Sequence, residues 1–322
     1  MKSIRFAATG GPDVLRLADV DLPPPGPGEI RIRHTAIGIN FIDTYHRSGL
    51  YPVKLPSGLG MEAAGIVEAL GEGAAAFKPG DRVAYASGPI GAYAEAANVP
   101  AARAVAVPDA IPDDIAASIL LKGMTAEFLL RRTYPLKAGE TILFHAAAGG
   151  VGQIACQWAK ALGATVIGTV GGEAKAALAR AHGCDHVIVS SAEDIAARVM
   201  EITGGAGVPV VYDGVGKDTW EASLACLKPR GLFVTFGNAS GPVPAFPPAL
   251  LTPKSLYMTR PTLMAYVATP AELGESAAAL FAVIVSGSVK VEPPRVYALA
   301  DASAAHADLE ARRTTGSLIL RP

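Results

Sequence analysis

Polar and apolar residues alternate with a period of two along much of the first hundred positions. Ile30-Arg31-Ile32-Arg33, Gly65-Ile66-Val67-Glu68-Ala69-Leu70 and Asp81-Arg82-Val83-Ala84-Tyr85 carry this pattern, which predicts half-buried strands. Lys78-Pro79-Gly80 marks a turn before the last of them. Pro23-Pro24-Pro25-Gly26-Pro27-Gly28 has the composition of a linker, but strand patterns flank it closely on both sides. It reads as a rigid turn inside a β-rich domain.

From about residue 115 the period lengthens. Residues 116–132 and 151–162 space their apolar side chains as helices do. Compact apolar runs separate these stretches: Thr141-Ile142-Leu143-Phe144, Thr165-Val166-Ile167-Gly168, His186-Val187-Ile188-Val189, Val208-Pro209-Val210-Val211-Tyr212 and Gly231-Leu232-Phe233-Val234-Thr235-Phe236. Strands buried on both faces and alternating with helices specify an α/β, doubly wound parallel sheet. After Pro261, helical patterns at 270–286 and 301–312 and a last strand, Ser317-Leu318-Ile319-Leu320, are expected to return to the first domain.

Composition agrees with two packed domains. Of 322 residues half are hydrophobic and 18% charged, a globular balance over a length that exceeds one core. The net charge is -1 with basic residues dispersed, which argues against nucleic acid or anionic lipid as partner and favours small molecules. Met1-Lys2-Ser3-Ile4-Arg5-Phe6 alternates like a strand and has no apolar block, so a cytoplasmic protein is expected. No apolar run reaches the roughly 20 residues of a membrane span. Cys156, Cys184 and Cys226 lie in apolar or helical stretches and read as buried thiols.

Chemistry concentrates at Ala146-Ala147-Ala148-Gly149-Gly150-Val151-Gly152. This turn follows a strand ending at Phe144 and opens the helix at 151, the setting of a dinucleotide phosphate site. Against G-x-G-x-x-G, Ala147 stands for the first glycine. Alone, the turn would equally suit glycines used only for packing; the βαβ context reads as nucleotide binding. The second strand ends Thr169-Val170-Gly171-Gly172 with no carboxylate at its tip, and Lys175 follows within reach of a 2′-phosphate. Charge pairing therefore favours NADPH over NADH, the other reading of Lys175 being a solvated helix residue.

Ligand spacing for zinc is missing: His34, His46, His145, His182, His186 and His306 are scattered and read as structural or exposed. His145 either orients the phosphate turn or ends its strand. Without a metal or a Ser/His/Asp grouping, a hydride acceptor must be activated by hydrogen bonds or be electrophilic already. Quinones and conjugated carbonyls qualify.

Gly38-Ile39-Asn40-Phe41-Ile42-Asp43-Thr44-Tyr45, Gly60-Met61-Glu62-Ala63-Ala64-Gly65, the turn at 146–152 and Phe236-Gly237-Asn238 together resemble the bacterial NADPH:quinone oxidoreductases, the zeta-crystallin-like branch of the medium-chain dehydrogenase/reductase superfamily. The likeness runs from Gly10-Gly11-Pro12-Asp13-Val14-Leu15 to Thr315-Gly316-Ser317. It implies a GroES-like β-rich catalytic domain over residues 1–120 and 261–322, a Rossmann NADPH-binding domain over 121–260, and a homodimer. Zinc-dependent relatives carry Cys near position 41 and His at 61, where this chain has Phe41 and Met61; their four-cysteine insert is also missing.

By position, the resemblance puts Asn40, Phe41, Ile42, Asp43, Thr44 and Tyr45 beside the nicotinamide and Gly150 and Val151 at the pyrophosphate. Gly171, Gly172, Glu173, Ala174 and Lys175 fall near the adenosine ribose. Gly237, Asn238, Ala239, Pro261, Thr262, Leu263 and Arg312 complete the set. Close relatives have Tyr beside the 2′-phosphate where this chain has Ser190. Ser190 can donate a hydrogen bond but has no ring, so weaker selection for NADPH is expected.

The expected enzyme holds NADPH between its domains, with a flat quinone over the nicotinamide and Asn40, Tyr45, Tyr51 and Thr125 lining the pocket. Tyr45 and Tyr51 are either proton donors or aromatic packing. A reductase of enone or alkenal double bonds and a non-catalytic, crystallin-like or RNA-associated NADPH-binding protein are the alternatives. Dimerisation would suit an apolar strand Leu232-Phe233-Val234 at a sheet edge.

Overall fold

The computed structural model describes residues 1–311 and 313–322. The period-two region forms β1 (Lys2–Phe6), β2 (Arg16–Asp19), β3 (Glu29–Ile39), helix α1 (Phe41–Ser48), β4 (Ser57–Gly58), β5 (Glu62–Leu70), β6 (Arg82–Tyr85), β7 (Ala96–Pro100) and β8 (Ala104–Ala106). β3 runs well past the alternating quartet at 30–33. Its ladder with β5 shifts register after Arg31 and after His34, and such bulges bend a strand. Across them β3 changes its other partner, pairing with β7 over 29–33 and with the carboxyl-terminal strand over 37–39.

The longer period becomes α2 (Asp113–Phe128), β9 (Thr141–Phe144), α3 (Gly150–Ala161), β10 (Thr165–Val170), α4 (Ala176–Ala181), β11 (His186–Val189), α5 (Ile195–Ile202), β12 (Val208–Asp213), α6 (Trp220–Cys226), β13 (Leu227–Thr235), β14 (Tyr257–Thr259) and α7 (Leu263–Tyr266). Helix α2 starts three residues before the expected 116. Asp113 and Asp114 occupy its first turn, where carboxylates suit the helix dipole.

Strands β9 to β14 form one parallel sheet in the order β11-β10-β9-β12-β13-β14. Leu143, Ile167, Ile188, Val211 and Phe233 pack together at full burial on it. The expectation that Leu232-Phe233-Val234 lies at an edge is wrong. All three pair with β14 at Tyr257, Met258 and Thr259, so β14 is the edge. Three residues with two side chains largely in solvent carry no periodic signal.

The tail supplies α8 (Pro270–Val285), β15 (Arg295–Ala298), α9 (Ala302–Glu310) and β16 (Leu318–Arg321). β16 joins β3 antiparallel and β15 parallel. By contacts, residues Met1–Met124, Val267–Val285 and Val291–Pro322 form one compact unit, and Thr125–Tyr266 with Ser286–Lys290 the other. Among the described residues, no helix is long and apolar enough to cross a membrane.

Candidate active site

In the parallel-sheet unit, the residues expected to touch a dinucleotide follow the carboxyl ends of strands. Gly150 and Val151 come after β9, residues 171–175 after β10, Ser190 after β11, residues 237–239 after β13 and residues 261–263 after β14. Parallel strands put all these ends on one rim, and β9 and β12 flank the place where strand order reverses. Ligands of such sheets bind at that reversal.

The turn after β9 is tight. Ala146 adopts φ 54, and a Cβ on Gly152 would lie 2.5 Å from the Ala146 carbonyl and 2.6 Å from that of Ala147. No side chain caps α3 at Gly149, so its first-turn N–H groups remain for an anion. His145, whose role the sequence left open, anchors the turn. The Ser223 hydroxyl donates to Asp213 (2.8 Å), so it accepts from His145 Nε2 (3.0 Å), and His145 Nδ1 accepts from Thr169 (3.0 Å). Thr169 in turn receives the Ala147 N–H on its carbonyl at 2.9 Å. Burial holds the His145 pKa below its ordinary value, which suits a neutral ring in this chain.

Beyond β10, Gly171 and Gly172 have open space around them, and Lys175 ends a single turn of 3-10 helix, half-buried. The Ser190 hydroxyl, expected to be available for phosphate, already donates to the Val170 carbonyl at 3.1 Å. The 237–239 segment is tied down by Arg260, a residue absent from the expected set. Its guanidinium donates to the Gly237 carbonyl (3.1 Å) and to Asn238 Oδ1 (3.1 Å). Its place beside Pro261 was the available clue. Arg312 lies outside the described residues.

The other unit builds its site on α1. Asp43, at the third helical position, accepts the Asn40 backbone N–H at 2.8 Å, a satisfied helix start. The Asn40 side-chain amide donates to Glu62 Oε2 at 2.7 Å. Glu62, fully buried, also receives the Leu121 N–H at 2.7 Å and lies 3.8 Å from the Lys122 ammonium. Burial pushes the Glu62 carboxyl up and the Lys122 ammonium down from their usual values. Lys122 donates to the carbonyls of Ile39 and Ser118, each at 3.1 Å.

Phe41, Tyr45 and Tyr51 form a ring cluster, Tyr45 lying 5.7 Å from Phe41 and 5.2 Å edge-on to Tyr51. The structure thus brings Asn40 to Glu62, which the sequence reading had not singled out, and Tyr45 to Phe41 and Tyr51. Thr125 is buried on α2, three residues past Lys122. Met61 is buried beside Glu62 in the chain. Among the described residues, no group of three or more His, Cys, Asp or Glu side chains is disposed to hold a metal ion.

Two family models match the chain: an alcohol dehydrogenase GroES-like domain over residues 26–109 and a zinc-binding dehydrogenase domain over 150–281. A quinone oxidoreductase of Pseudomonas aeruginosa is 57% identical, with 100% of this chain and 99% of that protein covered. The crystal structure of Escherichia coli quinone oxidoreductase complexed with NADPH matches with a TM-score of 0.99 at 52% identity, 100% of both chains being covered. A 2-haloacrylate reductase of a Burkholderia species is 45% identical over 97% of this chain and 96% of its own.

Proposed function

The chain belongs to the quinone oxidoreductase family of the medium-chain dehydrogenase/reductase superfamily, and on that premise we propose that it is an NADPH-dependent quinone reductase whose substrate contacts come from α1. The rim of strand ends carries the reading. Its uncapped helix, its open Gly171-Gly172 and its half-buried Lys175 suit a dinucleotide with a 2′-phosphate.

Bound there, NADPH would supply the reducing electrons from its nicotinamide. First-turn N–H groups at Gly150 and Val151 would meet the pyrophosphate, Lys175 the 2′-phosphate, and the segments at 237–239 and 261–263 the nicotinamide half. On α1, Glu62 presents the Asn40 amide in one fixed orientation. The half-buried rings of Phe41 and Tyr51, packed against Tyr45, give a flat aromatic acceptor an apolar surface. Tyr45 is almost fully buried, and its ring serves here as packing; quinone reduction needs no general acid at that position.

The Burkholderia relative supports a second reading, hydride delivery to a conjugated carbon-carbon double bond. Product analysis after turnover with a quinone and, separately, an enone divides the two. Hydroquinone with unreacted enone is expected, and enone saturation alone would overturn the proposal. A homodimer would pair the β14 edge, where Tyr257 is 62% exposed and Met258 37% exposed. Sedimentation of the wild type beside Tyr257→Asp tests that contact, a monomeric variant being the expected result.

A further inference from the structure

Helix α1 is short, and its two ends are held by one imidazole. His306, on α9, is fully buried. Arg47 Nη1 lies 3.1 Å from its Nδ1, and a guanidinium only donates, so Nδ1 accepts and the ring proton sits on Nε2. The Nε2–H then donates a hydrogen bond to the Tyr93 hydroxyl at 3.0 Å. That hydroxyl donates in turn to Asp43 Oδ2 at 2.9 Å. The polarity of the chain is set throughout: Arg47 to His306, His306 to Tyr93, Tyr93 to Asp43.

Asp43 and Arg47 belong to the first and last turns of α1. Arg47 is anchored further by a two-pronged ion pair to Glu310 (2.6 and 2.9 Å) and by the Gly10 carbonyl (3.1 Å). Tyr93 reaches its place only because residue 60 is glycine. Gly60 has φ 89, and a Cβ there would come within 2.2 Å of the Tyr93 ring. Asp43 meets Asn40 directly at the helix start, and all of these residues lie within one compact unit.

We propose that His306 is a positioning residue for quinone reduction, holding α1 at both ends so that Asn40 and Tyr45 keep their placement. The proposal rests on the reading that α1 meets the quinone. Burial supports it on chemical grounds: it keeps the His306 ring neutral, with its pKa lowered to about 3, which is the state the donor order requires. Among the described residues, Asp43 Oδ1 has no hydrogen-bond partner. Its hold on the helix start therefore depends on the two donors at the other oxygen, the Asn40 N–H and the Tyr93 hydroxyl.

Three variants test this: His306→Leu, His306→Gln and Tyr93→Phe. Glutamine can accept from Arg47 through its carbonyl and donate to Tyr93 through its amide; leucine can do neither. Amide hydrogen exchange over residues 41–48 and quinone KM are measured on each. In His306→Leu the exchange is expected to speed up and KM to rise about tenfold, the effect of one lost anchor, with kcat changed less. His306→Gln is expected to restore both. Tyr93→Phe keeps the ring, loosens only the first turn, and carries the test if the leucine variant fails to fold. Unchanged exchange, faster exchange at unchanged KM, or no rescue by glutamine would each overturn the proposal. A wild type that reduces no quinone contradicts the proposed function instead, and exchange alone then decides whether His306 holds the helix.

Discussion

Glu62 holds the side-chain amide of Asn40 at 2.7 Å inside a fully buried pocket, with the Lys122 ammonium 3.8 Å from the same carboxylate oxygen. Two opposite charges buried in the protein stay charged only while each satisfies the other. The orientation of Asn40 is thus tied to an ion pair whose cationic half sits on α2.

Removing one partner should therefore cost more than removing both charges. Lys122→Met leaves a buried carboxylate without its cation, and a loss of about 3–5 kcal/mol of stability is expected. Glu62→Gln combined with Lys122→Met should recover part of that loss. Chemical denaturation of Lys122→Met, Glu62→Gln and the double variant measures the coupling; additive losses would show that the pair is not energetically linked.

Tyr45→Phe keeps the ring that packs on Phe41 and Tyr51 and removes only its hydroxyl. Quinone kcat should stay within about threefold of wild type, whereas a general acid would be worth at least about 100-fold. Tyr45→Ala should fall much further in kcat/KM because the apolar surface is lost. A 100-fold drop in the phenylalanine variant would reassign Tyr45 as proton donor.

Cofactor preference should depend on Lys175 and on what Ser190 lacks. Lys175→Ala is expected to raise the NADPH KM about tenfold while leaving the NADH KM nearly unchanged, the loss of one charged phosphate contact. Since the Ser190 hydroxyl is already given to the Val170 carbonyl, Ser190→Ala should alter the NADPH-to-NADH ratio by less than about threefold. Steady-state kinetics with both cofactors checks each, and equal losses with NADPH and NADH in Lys175→Ala would remove the lysine from the 2′-phosphate.

Acid should weaken what the buried histidines contribute to stability. Burial lowers His34 to about 4 and His306 to about 3, so between these values and 6.5 the unfolded chain binds protons that the folded chain refuses. Stability is present above 6.5 and is lost as pH falls below it. Asp43 opposes this. Burial raises it to about 7, so its contribution is full below the ordinary carboxylate range and is lost as pH rises through 7. Glu62, which burial also raises, opposes it too, while the buried His145 adds to the loss. The His306 share is isolated by comparison: from pH 7 to pH 5 the melting temperature of His306→Gln should fall less, or rise more, than that of the wild type, and an identical slope in the two would contradict the assignment.

How much was legible in the sequence follows from how each part is encoded. The central strands of the parallel sheet are buried on both faces, so they read as unbroken apolar runs at Ile142-Leu143-Phe144 and Val208 to Tyr212. β14 sits at an edge and is three residues long, and neither property leaves a pattern. That is why the wrong strand was expected at the edge. The glycine turn after β9 was visible because glycine and a helix start are local features. The supports of α1 were not: Arg47 and Glu310 meet across 263 positions, and Asn40 and Glu62 across 22. Buried polar pairs of this kind have no spacing rule, and only the folded chain brings them together.

The most direct test of the central claim is anaerobic oxidation of NADPH by the purified wild type with a set of quinones, followed by absorbance of the reduced cofactor. Catalytic loss of NADPH that depends on quinone, with hydroquinone as product, is the predicted result. Tight NADPH binding with no oxidation by any quinone would contradict it.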